Sequence, residues 1–390
     1  MEEFALYVHI PFCTKKCGYC DFFSVEKNSA EDSYIFSLAN EAAFYKKKYG
    51  ITSFKTIYIG GGTPSILSAE QLALLLDLLC GLSVEKPAEI TVEMNPESVD
   101  EKKILALKNR ATRISLGIQS LTQSALFSAE RKCTAETAAE KIALVKSLWK
   151  NSLSLDCIAG LPCQIDAEFS SSLEKMISFS PDHFSLYTLT VENGTPMEKK
   201  IRGGKIQFDE ETADSQWILG RDILCANGFS QYEVSNFCKK GAESLHNLFY
   251  WRQKNYVGVG AGATGTVFGE KSIRWTNGCN VSRYENFWKE KNPAEKIAEE
   301  KIPRSVEEIS PETREFEFLM MGLRTKFGVN SAEYEKKFSS VEPWRGNLRN
   351  RLFKAGEKNF SVRENADGSA DFSLTAESVL FLNRILLDLL

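Results

Sequence analysis

Cys13, Cys17 and Cys20 stand in the run His9-Ile-Pro-Phe-Cys-Thr-Lys-Lys-Cys-Gly-Tyr-Cys-Asp-Phe22, a C-x3-C-x2-C spacing directly after a short apolar stretch. A [4Fe–4S] cluster has four irons and is usually held by four cysteines. Three thiolates leave one iron open to a small molecule. That is the ligand set for reductive cleavage of S-adenosylmethionine (SAM), a source of radical chemistry. Other chemistries compete for the same residues. A zinc site wants a fourth Cys or His nearby, and His9 is the only neighbour that qualifies. Three clustered cysteines cannot pair evenly in disulfides. Lys15 and Lys16 are expected to lower the thiol pKa values, which also suits a redox sensor.

Gly60-Gly61-Gly62-Thr63-Pro64 is the second group able to do chemistry. Glycines let a ligand approach the backbone closely, and exposed peptide groups can bind a charged group. No Gly-Lys-Ser/Thr follows, so this is not a Walker motif. The plain alternative is a tight turn between strand and helix. Beside an open iron, its carbonyls are suited to hold the ammonium group of SAM.

These groups must be positioned by the elements around them. Apolar runs at 5–10, 56–61, 89–94, 113–119, 153–159 and 183–191 read as strands. Segments with helical spacing alternate with them, at 31–49, 69–79, 101–108, 135–150, 167–178 and 209–227. Six β-then-α units imply a parallel sheet with crossover helices, and Val/Ile/Leu-rich strands imply burial on both faces. Polar residues and glycines gather where the strands end: the cysteines, Gly60–Thr63, Glu93 and Asn95, Gln119, Asp156. Barrels place their chemistry there, so the expected fold is an α/β partial (β/α)6 TIM-like barrel. The pattern changes near Ser235. Residues 246–265 are aromatic, then glycine-rich, and 282–302 read as helix plus linker. Helices are expected at 312–324, 331–338, 344–356 and 374–390, with a hairpin around Asp367-Gly368. The expected parts are a core barrel (1–235), an extension with linker (236–305) and a small, mainly helical, winged-helix-like domain (306–390).

Composition bounds the function. The 390 residues carry a net charge of −4, with 43% hydrophobic and 26% charged residues. No bulk electrostatic case for nucleic acid exists, and packing is the preferred role for the C-terminal part over DNA reading. No run approaches ~18 apolar residues, so no membrane span is expected. Met-Glu-Glu-Phe does not resemble a signal or transit peptide. Cys80, Cys133, Cys157, Cys163, Cys225, Cys238 and Cys279 are scattered and read as free thiols in a reducing cytoplasm. Cys157 and Cys163 flank a loop, where a redox role is the alternative.

Four motifs together carry a resemblance. They are the His9–Cys20 run, the Gly-Gly-Gly-Thr-Pro turn, Leu116-Gly117-Ile118-Gln119-Ser120, and Asp156-x3-Gly160-Leu161-Pro162. The chain resembles, over nearly its whole length, the radical-SAM family of oxygen-independent coproporphyrinogen III oxidase and its relatives. The resemblance implies that Cys13, Cys17 and Cys20 ligate the cluster. It implies that Tyr7 and Tyr19 flank SAM and the cluster, and that Gly61, Gly62 and Thr63 hold the methionine part. Glu93, Gln119, Arg131 and Asp156 match polar SAM-contacting positions. Asp156 suits ribose hydroxyls, and Arg131 suits a carboxylate.

Two departures separate the family's branches. The oxidase branch has a fourth cysteine two residues after the third, where this chain has Phe22, and a long N-terminal extension, where eight residues precede His9. Both features resemble the heme-chaperone branch. So does His246-Asn247-x2-Tyr250-Trp251, with Tyr256 and Gly258-x-Gly260-x-Gly262-Ala263. This resemblance implies heme binding and delivery to acceptor proteins, with a flavodoxin- or ferredoxin-like electron donor if SAM is cleaved. The alternative is a coproporphyrinogen oxidase. A further one is a winged-helix regulator with an iron–sulfur sensor. His246 is the iron ligand to suspect, or else a structural corner. Tyr250, Trp251 and Tyr256 stack on a porphyrin or cap the barrel. His9 is expected against the cluster loop or SAM, and His183 in a structural role. No helix with an acidic residue ~20 positions on follows the glycine-rich stretch, so it is no dinucleotide fingerprint.

Overall fold

The apolar runs become strands buried on both faces. In chain order they are β1 (Phe4–Ile10), β2 (Phe54–Gly61), β3 (Glu89–Met94), β4 (Arg113–Gln119), β5 (Ser152–Ala159) and β6 (His183–Thr188). The structure is a computed structural model that describes residues 2–83, 85–289, 297–338 and 348–389. The six strands pair in chain order, each parallel to the next. Between them run α1 (Asp32–Lys48), α2 (Ala69–Cys80), α3 (Glu101–Leu107), α4 (Gln123–Ser128), α5 (Ala135–Leu148) and α6 (Asp166–Ser178). Two more follow β6, α7 (Pro196–Arg202) and α8 (Glu210–Ala226). A capping box starts α2. Ser68 Oγ accepts from Gln71 N, and the Gln71 side chain accepts from Ser68 N, both at 3.1 Å. This satisfies free helix-end donors and fixes where the chain leaves the glycine turn.

The glycine-rich stretch does more than extend the barrel. After α9 (Leu245–Trp251), β7 (Asn255–Val259) pairs parallel to β1, placing Leu6 opposite Val257. The parallel set therefore has seven strands, and β1 lies inside it. The sheet continues antiparallel through β8 (Thr264–Val267), β9 (Ser272–Asn277) and β10 (Arg304–Ile309), with α10 (Val281–Trp288) between the last two. At the other side β6 pairs with the short strand Asn236–Cys238, and that strand with Ser230–Gln231. The twelve-stranded sheet is open, with β10 and Ser230–Gln231 at its two edges.

Trp275, Tyr284, Trp288 and Ile302 of the extension belong to the same hydrophobic core as the barrel. Glu41 on α1, fully buried, binds this part to the barrel. Its carboxylate accepts from Tyr284 Oη (2.6 Å), Asn277 Nδ2 (2.8 Å) and Gly260 N (2.9 Å). The C-terminal part has its own core, built on Phe318, Leu319, Leu352, Phe372 and Leu386. It contains α11 (Pro311–Gly322), α12 (Ser331–Phe338), α13 (Leu348–Phe353), α14 (Leu382–Leu387) and a three-stranded sheet with the expected hairpin. Gly368 turns that hairpin at φ +84°, a conformation glycine adopts freely. The expected helix 344–356 begins outside the described residues. The expected helix 374–390 is shorter in the structure: Leu374 closes a strand opposite Phe360, Thr375 Oγ1 accepts from Ser378 N where a 3-10 turn begins, and only then does α14 begin.

Candidate functional site

The cysteine loop is held at three places. Pro11 O accepts from Val25 N (2.7 Å) and Cys13 O from Lys27 N (2.9 Å), a two-residue parallel clasp at its base. Gly18 N donates to Ala129 O (3.0 Å) and Gly18 O accepts from Met197 N (2.9 Å), which pins the tip between α4 and α7. Cys20 N donates to Cys17 O (3.2 Å), closing a tight turn. Cys13 Sγ lies 3.5 Å from Thr63 Oγ1, and Arg131 Nη1 lies 3.5 Å from Cys17 Sγ. Among the described residues no three His, Cys, Asp or Glu side chains converge on a single ion position. A cluster needs no such convergence, because each thiolate holds a different iron. Burial pushes the Cys13 and Cys20 thiols up, and Lys16 only partly counters this at Cys20. The expectation that the neighbouring lysines lower these thiols is therefore corrected, since desolvation outweighs them. A coordinating thiol is deprotonated by its metal.

The glycine turn meets the loop from the next strand. Gly62 N donates to Ile10 O (2.8 Å). A methyl group on Gly62 would sit 2.8 Å from Phe12 O and 3.0 Å from Cys13 Sγ. Gly61 has φ +113°, and a methyl there would lie 2.6 Å from His9 Nδ1. Neither position has room for a side chain. Thr63 Oγ1 accepts from Asn95 Nδ2 (2.9 Å), tying the turn to the end of β3.

The remaining strand ends supply a polar wall. Glu93 accepts from Tyr58 Oη (2.6 Å) and Gly61 N (3.2 Å). Asp156 accepts from Ser115 Oγ (3.1 Å). Gln119 has φ +68°, with a register shift between Gly117 and itself. Arg131, its side chain 3% exposed, donates through Nη2 to Gly117 O (2.7 Å) and lies 3.6 Å from Glu97. Its Nε is buried with no hydrogen-bond partner among the described residues. Tyr19 sits beside Cys17 and Arg131. Tyr7 stacks on Tyr58 with centroids 6.2 Å apart. Its hydroxyl donates to His9 Nδ1 (3.0 Å), because His9 Nε2 donates to Phe23 O (3.0 Å). Tyr19, Gly62, Thr63 and Arg131 thus meet the cysteine loop directly, Tyr7 and Gly61 meet His9 at its root, Glu93 stands behind Gly61 with Asp156 near it, and Gln119 lies beside Gly117. Sequence reasoning missed Tyr58. The signal was alternation along β2, where Thr56, Tyr58 and Gly60 share a face.

Burial raises the Glu93 carboxyl to about 7, with Asp156 adding to the rise; Asp156 itself is pushed up by burial. Glu41 and Glu233 are also raised to about 7, chiefly by burial. The sign follows from linkage. Between pH 4.5 and 7 the folded protein keeps protons that the unfolded chain has lost, so stability falls as pH rises. Each group costs roughly 3 kcal/mol once ionised. Glu93→Gln is expected to reduce the drop in thermal midpoint between pH 5 and pH 8 while weakening SAM binding. Identical drops in wild type and variant would count against this assignment.

His246 lies at the start of α9, behind the Tyr250 ring. It is fully buried. Its Nδ1 bonds Thr56 Oγ1 and its Nε2 bonds Tyr250 Oη, both at 2.8 Å. Burial lowers its pKa to about 3, so it is neutral. Glu89 accepts from His246 N (2.9 Å) and Leu245 N (3.1 Å) at the start of α9. Both ring nitrogens are hydrogen-bonded to protein side chains here, Thr56 on one side and Tyr250 on the other. His183 is likewise buried between Ser154 and Tyr232. Tyr250 and Trp251 do face a cavity, of about 460 Å³, within the range of small-molecule sites. Its walls include Phe22, Phe23, Tyr256 and Met321, with Lys254 and Arg274 as cations. Phe22 is 72% exposed at its rim. Arg274 and Glu317 form a bidentate pair (2.7 and 2.9 Å) that joins β9 to α11. Sequence reasoning missed Phe23, Arg274 and Glu317, because three distant segments meet here. A second cavity, of about 550 Å³, lies between the Gly160–Gln164 turn, α7 and the start of α8, and none of the expected site residues line it.

Comparison with known proteins adds independent findings. Residues 7–176 match the Radical SAM superfamily. The heme chaperone HemW of Lactococcus lactis is 36% identical over 338 residues, covering 85% of this chain and 84% of that protein. HemW of Haemophilus influenzae is 34% identical over 402 residues, covering 99% and 97%. Among solved structures, the coproporphyrinogen III oxidase HemN of Escherichia coli superimposes with a TM-score of 0.76 at 17% identity. It covers 100% of this chain and 90% of that one, a likeness of fold.

Proposed function

Because the chain belongs to the HemW heme-chaperone family of the radical SAM superfamily, we propose that it binds heme and passes it to acceptor proteins. It carries a [4Fe–4S] cluster on Cys13, Cys17 and Cys20, and SAM beside it. The residues present fit both groups. Three thiolates on one pinned loop leave an iron open. The Gly61–Gly62 turn has the bare backbone that a close ligand requires. The Arg131 guanidinium, whose Nε alone lacks a partner among the described residues, suits an arriving carboxylate. Asp156 would accept from ribose hydroxyls, and the turn's carbonyls would take the ammonium group. Cluster and SAM together supply one-electron chemistry. If SAM is cleaved, a flavodoxin- or ferredoxin-like protein delivers the electron.

The observation that carries the heme reading is the aromatic cavity beside the cysteine loop. Phe22 and Phe23 belong to that loop, so a cargo held in the cavity would be close to the cluster. The C-terminal part lends Glu317 and Met321 to the wall, a packing role rather than a DNA-reading one. We divide the chain at 235 and 305, into barrel, extension and C-terminal domain. Among the described residues no helix is long and apolar enough to cross a membrane; we place the protein in the cytoplasm.

The test is a titration of anaerobically reconstituted protein with heme and then SAM, with analysis for 5′-deoxyadenosine. A saturable shift of the Soret band is expected. A parallel assay with coproporphyrinogen is expected to yield no protoporphyrinogen. Product there would replace this reading with the oxidase one.

A further inference from the structure

We infer that Lys254 and the indole N–H of Trp251 anchor the propionate carboxylates of the porphyrin in this cavity. The inference deepens the heme reading and rests on it. A porphyrin of this kind is a flat apolar body with two carboxylates on one edge. Its site needs apolar walls and a few donors. Phe22, Phe23, Tyr250, Tyr256 and Phe268 supply the walls, and Lys254 and Arg274 are the cations that line it. Arg274 is committed, because Glu317 holds it through both carboxylate oxygens. Lys254 Nζ has no hydrogen bond or ion pair among the described residues. Its neighbours add positive charge rather than cancel it. Burial lowers the Lys337 ammonium, and the like charges of Lys254 and Arg314 add to the fall. The carboxylates of this corner are taken: Glu333 pairs with Lys337 (3.1 Å), and Glu2 supports the Arg314 charge. Trp251 brings a second donor. It lines the same cavity, and its buried Nε1 has no acceptor among the described residues. An unpaired cation and an unpaired N–H both call for an acceptor, and a carboxylate edge serves both.

The local backbone fixes Lys254 in place. At the end of α9, Gln253 N donates to Tyr250 O and Lys254 N to Phe249 O, both at 2.9 Å, with Gln253 at φ +48°. Glycine usually takes the left-handed place in this helix ending. Gln253 takes it here, and its amide donates to Arg314 O on α11 (2.7 Å). Asn255, on the other side of Lys254, is tied as well, its Oδ1 accepting from Phe268 N (2.8 Å). Lys254 therefore stands on backbone anchored at both neighbours, which a positioned binding group requires. The Arg324 guanidinium lies over the Trp251 ring, 6.0 Å from its centroid, and steadies the indole.

The test compares ferric heme with its dimethyl ester, in which both propionates are masked. Affinities are measured for the wild-type protein and for Lys254→Met, Lys254→Arg, Trp251→Phe and Arg252→Met, with cluster content and circular dichroism as fold controls. Wild type is expected to prefer heme over the ester by about 30-fold, in the range of hydrogen bonds to charged groups. Lys254→Met is expected to bind heme about tenfold more weakly and the ester unchanged, since methionine keeps the apolar stem and drops only the charge. Trp251→Phe is expected to lose about threefold, again for heme alone. Lys254→Arg is expected to keep the preference, because a guanidinium also pairs with a carboxylate. Arg252→Met, exposed and outside the cavity wall, is expected to match wild type. Equal weakening toward heme and ester in Lys254→Met would show a packing role and overturn the inference. So would a wild type that binds both forms alike. No heme binding by the wild type would instead overturn the chaperone reading itself.

Discussion

Alanine at Cys13, Cys17 or Cys20 is expected to leave anaerobically reconstituted protein colourless, with iron at background. Each thiolate holds a different iron, so losing any one leaves two iron anchors on a loop built for three. The loop itself should persist. Its clasp at Pro11–Val25 and Cys13–Lys27 and its pins at Gly18 use backbone atoms only, which alanine keeps. Cys80→Ala is expected to retain the full cluster, because Cys80 ends α2, outside the loop and the turn. Cys133→Ala is the stricter control. It is buried two residues from Arg131, and its thiol donates to Thr134 O (3.3 Å). The readings are iron per chain and the visible absorbance of the cluster. Equal iron in all five variants would refute the ligand assignment.

Gly62→Ala is expected to be nearly as damaging without touching a ligand. The added methyl would meet Phe12 O at 2.8 Å, and Ile10 O and Cys13 Sγ at 3.0 Å. Two of these atoms are backbone, and Gly62 N bonds one of them, Ile10 O. Neither can rotate aside as a flexible side chain can. The strand end and the cysteine loop must move apart together, in an interior packed closely enough to feel one methyl group. Cluster content is expected to fall by more than half, and SAM affinity by more than about tenfold, the effect of a small misplacement at a positioned site. Gly269→Ala is the matched control, since its nearest neighbour is Lys271 O at 3.7 Å. Iron analysis and SAM titration decide the matter. Wild-type values in Gly62→Ala would show that the turn does not need its bare backbone.

Much of the site was legible because its chemistry is local in sequence. Three cysteines within eight residues, and three glycines followed by Thr63 and Pro64, declare close approach and ligation by spacing alone. Glu93, Gln119 and Asp156 could be placed because each is a polar residue in or at the end of an apolar run in a series of β-then-α units. The heme assignment was harder. His246 could be singled out by residue type, but its burial and its hydrogen bonds to Thr56 and Tyr250 could not be read from sequence. What sequence could not convey is register. Tyr256, Thr266 and Arg274 are ten and eight residues apart, and only strand pairing brings them into one row. The strand Asn255–Val259 was hidden for a related reason. Glycines weaken a strand signal, and this strand forms because β1 offers it a complete parallel partner.

That pairing has a consequence for how the protein is made. β1 lies between β2 and β7, so the strand that carries the cysteine loop gains its second neighbour only when Asn255–Val259 has been synthesised. His9 O, at the root of the loop, waits as well. It accepts from Tyr34 Oη (3.1 Å), whose own oxygen accepts from Ala261 N (3.1 Å). At ribosomal speeds of roughly 5–20 residues per second, the ~250 intervening residues take on the order of ten seconds to a minute to emerge. For that interval the cysteines are already outside the ribosome on a strand with one bare edge, a template for wrong pairing. The frame of the cysteine loop is therefore completed late, by the arrival of β7 rather than by the birth of the cysteines themselves.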